Sequence, residues 1–83
     1  VNAALITPRE LFIEALQKNA VSIILLHNHP SGDALPSQED LYLTEQFVKL
    51  GEMMAIEIMD HIIIGWNQFY SIKAKQLYYD NHG

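Results

Sequence analysis

At 83 residues, 49% of them hydrophobic, the chain is too apolar to be disordered and too short for more than one small domain with a thin core. It contains no cysteine, which excludes disulfides and thiolate metal sites. Five Lys+Arg against ten Asp+Glu give a net charge of −5, and the few cations are scattered, so no basic stripe for direct nucleic-acid binding is expected.

The opening "VNAALI" reads as the tail of a strand. It lacks the basic and apolar regions of a signal peptide, and no apolar run in the chain reaches membrane-spanning length, so a cytoplasmic protein without membrane contact is expected. "TPRE" opens a helix, with Thr7 as N-cap, Pro8 at the first helical position and Glu10 completing a capping box. Leu11, Phe12, Ala15 and Leu16 recur at helical spacing, and the helix should stop near Asn19. "AVSIILLH" is a continuous apolar run, the pattern of a strand buried on both faces.

"NHPSGDALP" is loop, punctuated by Pro30, Gly32 and Pro36. Ser37 and Asp40 then open a second helix whose buried side is expected to carry Leu41, Phe47, Val48 and Leu50, with Gly51 as its terminator. "AIEIMDHIIIG" reads as a second buried strand, and "WNQFYSI" as a strand pairing back on it through a turn at Trp66 to Gln68. Trp66, Phe69 and Tyr70 look like hairpin packing, while Tyr78 and Tyr79 either close the core or mark a contact surface. "AKQLYYDNHG" shows no pattern beyond one helical turn, and His82 near its end should be solvated. The order of elements gives an α/β fold, a mixed β-sheet with two packed helices, in one domain over residues 1–83.

The chemistry is concentrated in "LLHNHPSGDALPSQED". If the strand continues through His27 and His29, their side chains share one face about 7 Å apart, a spacing that lets two imidazoles converge on one ion. Asp40, in the first turn of the following helix, is the best candidate for a third ligand. Two histidines and one aspartate leave an open position for water, as in a catalytic zinc site, though the same donor set also suits iron or manganese. Ser37 can cap the helix through its oxygen and still donate its hydroxyl proton to an oxyanion. Each feature alone has an ordinary explanation: His-x-His in a turn, Ser-x-x-Asp as a capping box, Pro-Ser-Gly as turn chemistry. Their combination at these spacings does not. His61, on a buried strand, reads as a hydrogen-bonded core histidine that can also support the site from outside.

"HNHPSGDALPSQED" resembles the JAMM metal-binding motif, and "TPRELFIEALQKNAVSIILLHNHPSG" with "GEMMAIEIMDHIIIG" resembles the RadC family, over about Asn2 to Ser71. The resemblance implies an MPN/JAMM-like (JAB domain, cytidine-deaminase-like) core and one zinc ion, Zn2+, held by His27, His29 and Asp40. It implies that Ser37 assists at the reacting carbonyl, and that the function is metallopeptidase or isopeptidase hydrolysis of a peptide or protein substrate. The general-base glutamate of JAMM enzymes comes from a strand ahead of the first helix, and residues 1–6 hold none. Glu10 and Glu14 are poor substitutes, so the chain is expected to be a portion whose upstream strands and base lie outside it. Its sheet edge would then be open to pairing with another copy. The alternatives are a non-catalytic metal-binding interaction domain and a DNA-repair-associated module.

Overall fold

The computed structural model describes residues 6–80. They form an α/β domain in the order α1 (Pro8–Gln17), β1 (Ser22–Asn28), α2 (Gln38–Met54), β2 (Glu57–Gly65), β3 (Gln68–Ser71) and β4 (Gln76–Tyr79). The expected strand in the opening residues and the reading of His82 lie outside the described residues. Four strands make one mixed sheet in the order β1-β2-β3-β4. β1 and β2 run parallel, with α2 as the crossover that parallel pairing requires, and β2, β3 and β4 follow as antiparallel neighbours.

α1 starts where Thr7 accepts a hydrogen bond from the Glu10 backbone N–H at 3.2 Å. Leu11, Phe12 and Ala15 are buried at helical spacing, whereas Leu16 faces solvent. They pack with Leu25, Phe47 and Ile56 into one core between the two helices and one face of the sheet, where the Phe12 and Phe47 rings lie 6.2 Å apart.

Four expectations need correction. β1 is packed on one face only: Leu25 is fully buried, but Ile24 and Leu26 on the other face are 47% and 42% exposed. Ile64 and Phe69 continue that outward face, so the apolar run carries residues for two faces while the described residues cover one. Gly51 does not end α2. The helix runs three residues further and closes at Ala55, whose φ is +57°, with the Ile56 N–H donating back to the Gly51 carbonyl at 2.8 Å. Gly51 is needed because a Cβ there would lie 2.3 Å from the Ile56 carbonyl oxygen. Leu41 is exposed, leaving Phe47 as the fully buried residue of that helix face, with Val48 and Leu50 half-buried. Finally, "QLYY" is a strand, β4, entered through Lys75 at φ +54°; its Tyr78 ring stacks on Phe69 at 4.8 Å instead of closing the core.

One irregularity matters for the site. β1 pairs Ile23 with Ile58 but Ile24 with Asp60, so Met59 is an extra residue in β2. Such a bulge switches the face on which later residues point. It sets His61 beside the core residue Leu25 and Ile63 beside His27. The β2–β3 turn consists of Trp66 and Asn67, with Gln68 already paired to Gly65 in the ladder.

Candidate metal centre

His27 is the second-last residue of β1, on the face that α2 covers, and His29 follows just past the strand end. The His29 N–H still donates to the Ile64 carbonyl at 2.9 Å, so pairing with β2 carries the chain one residue beyond the strand. Pro30 biases His29 to extended backbone, which keeps its ring on the His27 side. The two rings lie 4.7 Å apart, edge to face.

The loop then turns at once. The Gly32 N–H donates to the His29 carbonyl at 3.0 Å, and Gly32 has φ +90°, a conformation that only glycine adopts without strain. The indole of Trp66 lies against this turn, where a Cβ on Gly32 would sit 2.5 Å from Trp66 Cδ2. Trp66 therefore packs over the histidine loop, not within the hairpin, and stays largely exposed.

Ser37 caps α2. Its Oγ accepts the Asp40 N–H at 3.1 Å, and Asp40 Oδ2 accepts the Ser37 N–H at 2.8 Å, a complete capping box. The reciprocal bond aims the Asp40 carboxylate back across the end of β1. Oδ1 lies 3.0 Å from His27 Nδ1, and Oδ2 lies 3.0 Å from His29 Nε2. One candidate ligand atom from each of His27, His29 and Asp40 falls within 4.8 Å of the others. Asp40 is buried, both histidines are half-buried, and Ser37 is exposed beside them.

The donor set suits a divalent cation. His27 Nδ1 is buried and makes no aligned hydrogen bond, although Asp40 Oδ1 is within 3.0 Å. Two ligand atoms of a tetrahedral ion at about 2.0–2.1 Å lie roughly 3.3 Å from each other, close to the separations seen. Burial pushes the Asp40 carboxyl up, but the Ser37 N–H, the capping bond and the two facing histidines outweigh it and hold the group below the ordinary carboxylate range. Asp40 is thus an anion near neutral pH, as a ligand must be.

His61 is a core histidine, 1% exposed, with its Nδ1 2.5 Å from Thr44 Oγ1 and its ring stacked 5.8 Å from that of His27. Burial, then the neighbouring His27, pushes its pKa down to about 4, so the ring is neutral near pH 7. Thr44 was invisible to sequence reasoning, because only the length of α2 and the bulge in β2 bring it to His61. A cavity of about 700 Å3 runs along the α2–β2 groove past Thr44 and His61, and its lining does not include His27, His29 or Asp40. Glu10 is exposed, and Glu14 is held by Lys18 at 2.6 Å; neither joins the cluster.

Among the described residues, no helix is long and apolar enough to cross a membrane. A UPF0758 protein of Desulforamulus reducens is 51% identical over 77 residues, covering 93% of this chain and 34% of that protein. A UPF0758 protein of Alkaliphilus metalliredigens is 48% identical over 77 residues, covering 93% of the chain and 33% of that protein. One from Bacillus cereus is 51% identical over 75 residues, with 90% and 33% covered. The chain spans about a third of the length of these relatives. The family model described as the RadC-like JAB domain matches residues 1–77, and with the histidine loop and capped aspartate in place the chain belongs to that family.

Proposed function

We propose that this chain carries the metal-binding core of a zinc-dependent hydrolase of the JAMM type, which directs water onto a peptide or isopeptide bond of a peptide or protein substrate. One observation carries the reading: His27, His29 and Asp40 bring candidate ligand atoms within 4.8 Å of one another, with Ser37 capping the helix turn that holds Asp40. His27, His29 and Asp40 would hold the ion. When bound, zinc would supply the Lewis acidity that activates water at neutral pH and polarises the reacting carbonyl. Ser37 keeps its hydroxyl proton while Oγ accepts from Asp40, so it donates to the carbonyl oxygen as negative charge develops there. The net charge of −5 keeps nucleic acid out of the proposal.

A metal-binding interaction domain without catalysis is the second reading. It is favoured by the fact that, among the described residues, no second carboxylate joins the cluster to serve as general base. The hydrolase reading needs that base from outside the described residues, within the two-thirds of the relatives' length that this chain does not span.

Calorimetric titration with Zn2+ near neutral pH, on this chain and its His29→Ala variant, tests the site. One-to-one binding that vanishes in the variant is expected, and a chain that takes up no Zn2+ would overturn both readings. Peptidase assays on a full-length relative, with and without its upstream carboxylate, then separate hydrolase from scaffold.

A further inference from the structure

We propose that Gln68, on β3, is a positioning residue for the metal centre, acting on His29 through the peptide group that joins Asp33 to Ala34. The proposal rests on the metal-binding reading above and names a residue that helps shape the site from a distant strand.

The chain of contacts is short. His29 Nδ1 lies 2.8 Å from the Asp33 carbonyl oxygen. A carbonyl oxygen only accepts, so Nδ1 carries the proton and donates it. In the neutral ring this leaves the lone pair on Nε2, the atom that faces Asp40 Oδ2 at 3.0 Å. That tautomer is the one able to bind a cation there, and the hydrogen bond on the other nitrogen is what selects it.

The same peptide group has a second partner. Its N–H, on Ala34, donates to Gln68 Oε1 at 2.9 Å, across a separation of 34 residues. The side-chain amide of Gln68 is oriented by this bond, because only its oxygen can accept. Peptide resonance joins the two ends of the unit, so an acceptor on the N–H places more negative charge on the C=O. Gln68 therefore strengthens the bond that holds His29, and with it the basicity of Nε2.

Other contacts fix the loop but do not touch this peptide. The Trp66 N–H donates to the Gly32 carbonyl at 2.7 Å, and the His29 N–H to the Ile64 carbonyl at 2.9 Å. Gly65 lets the loop approach: a Cβ there would lie 2.2 Å from the Gly32 oxygen. Backbone bonds thus place the loop on the β2–β3 hairpin, and one side chain, Gln68, reaches the group that selects the tautomer.

The test uses Zn2+ calorimetry on the unmodified chain, Gln68→Met and Gln68→Glu, together with nitrogen-15 imidazole spectra of the Zn2+-loaded forms. Methionine keeps the length and offers at best a weak acceptor, whereas glutamate keeps an oxygen. Loss of an outer partner of a ligating histidine typically costs 10–100-fold in affinity, and Gln68 acts one peptide further out, so a loss of about tenfold is expected for Gln68→Met. Faster solvent exchange of the His29 Nδ1 proton should accompany it, with Gln68→Glu close to the unmodified chain in both readouts. If Gln68→Met fails to fold by near-ultraviolet circular dichroism, Gln68→Asn, whose shorter amide falls short of Ala34, takes its place with the same expectation. A merely structural anchor would lower the melting temperature and leave affinity and proton exchange unchanged; that result overturns the inference and spares the metal-binding reading. Absence of Zn2+ binding by the unmodified chain overturns both.

Discussion

Asp40 and Asp60 are two hydrogen-bonded carboxylates in one small domain, and their surroundings differ in kind. Among the described residues, Asp60 is met by hydrogen-bond donors. Its Oδ1 accepts the N–H groups of His61 at 2.7 Å and Lys73 at 3.0 Å, and its Oδ2 accepts the Ser71 hydroxyl at 2.5 Å. Ser71 Oγ in turn accepts the Ala74 N–H, so the group staples the turn between β3 and β4. Asp40 has one backbone donor, and both of its oxygens face imidazole nitrogens. His29 already gives a proton to Asp33, so in the neutral ring its Nε2 turns a lone pair toward Asp40, an arrangement that suits a cation between them. The ring of donors makes Asp60 a structural fastener, whereas the two facing imidazoles make Asp40 a candidate ligand.

The largest expected effect separates the two directly. Asp40→Ala should weaken Zn2+ binding by more than about 100-fold, beyond the usual loss of an outer partner. Asp60→Ala should leave the affinity within about twofold. Equal losses in calorimetry would erase the distinction between ligand and fastener. For Asp60→Ala the cost should appear in stability, because two N–H groups and a hydroxyl lose their acceptor. About 1–3 kcal/mol is expected, a drop in melting temperature of roughly 4–8 °C per kcal/mol for a domain of this size. An unchanged melting temperature would show that water replaces the carboxylate without cost.

Acid should sharpen the comparison from another side. The unfolded chain protonates His61 near the ordinary value of 6.5, while the folded chain resists until about 4. Protons therefore favour unfolding in that window. Stability of the metal-free chain is full above about pH 6.5 and falls as pH descends, by up to about 3 kcal/mol. Asp40, held below the ordinary carboxylate range, adds a loss of the same sign at lower pH. Urea midpoints that stay level between pH 7 and 4.5 would contradict this account of His61.

The smallest effect concerns Ser37. Ser37→Ala should cost about 1 kcal/mol through the lost cap, and Ser37→Gly only a few tenths. Both keep the backbone N–H that aims Asp40, so Zn2+ affinity should hold within about threefold. A collapse of affinity in the glycine variant would mean that the hydroxyl, not the backbone, positions the carboxylate.

Much of this site is legible along the chain because it is local. His27, His29, Ser37 and Asp40 belong to one strand end, one loop and one helix cap, and each residue type declares its own donors. What escapes the sequence is set by register. Nothing in "AIEIMDHIIIG" shows that Met59 is an extra residue, yet that bulge decides which face His61 takes and so gives Thr44 its partner. Gln68 reads as the last residue of a turn until pairing with Gly65 places it in β3 under the loop. The same blindness explains β1: apolar content shows that a strand is suited to burial on two faces, but not that a second layer is supplied. Gly51 and Ala55 show a further limit, since a glycine near a helix end can serve close packing while an alanine takes the left-handed cap.

The capping box of α2 has a consequence for how the site opens and closes. The carboxylate oxygen that accepts the Ser37 N–H is the same one that faces His29, so initiating the helix and presenting the candidate ligand are a single event. Fraying of one helical turn would disperse that geometry without unfolding the core, and an ion held by Asp40 and the two histidines would clamp the turn shut. Release of such an ion would then be gated by a local opening, and amide hydrogen exchange at Ser37 and Asp40 should slow on Zn2+ loading far more than exchange at Leu25.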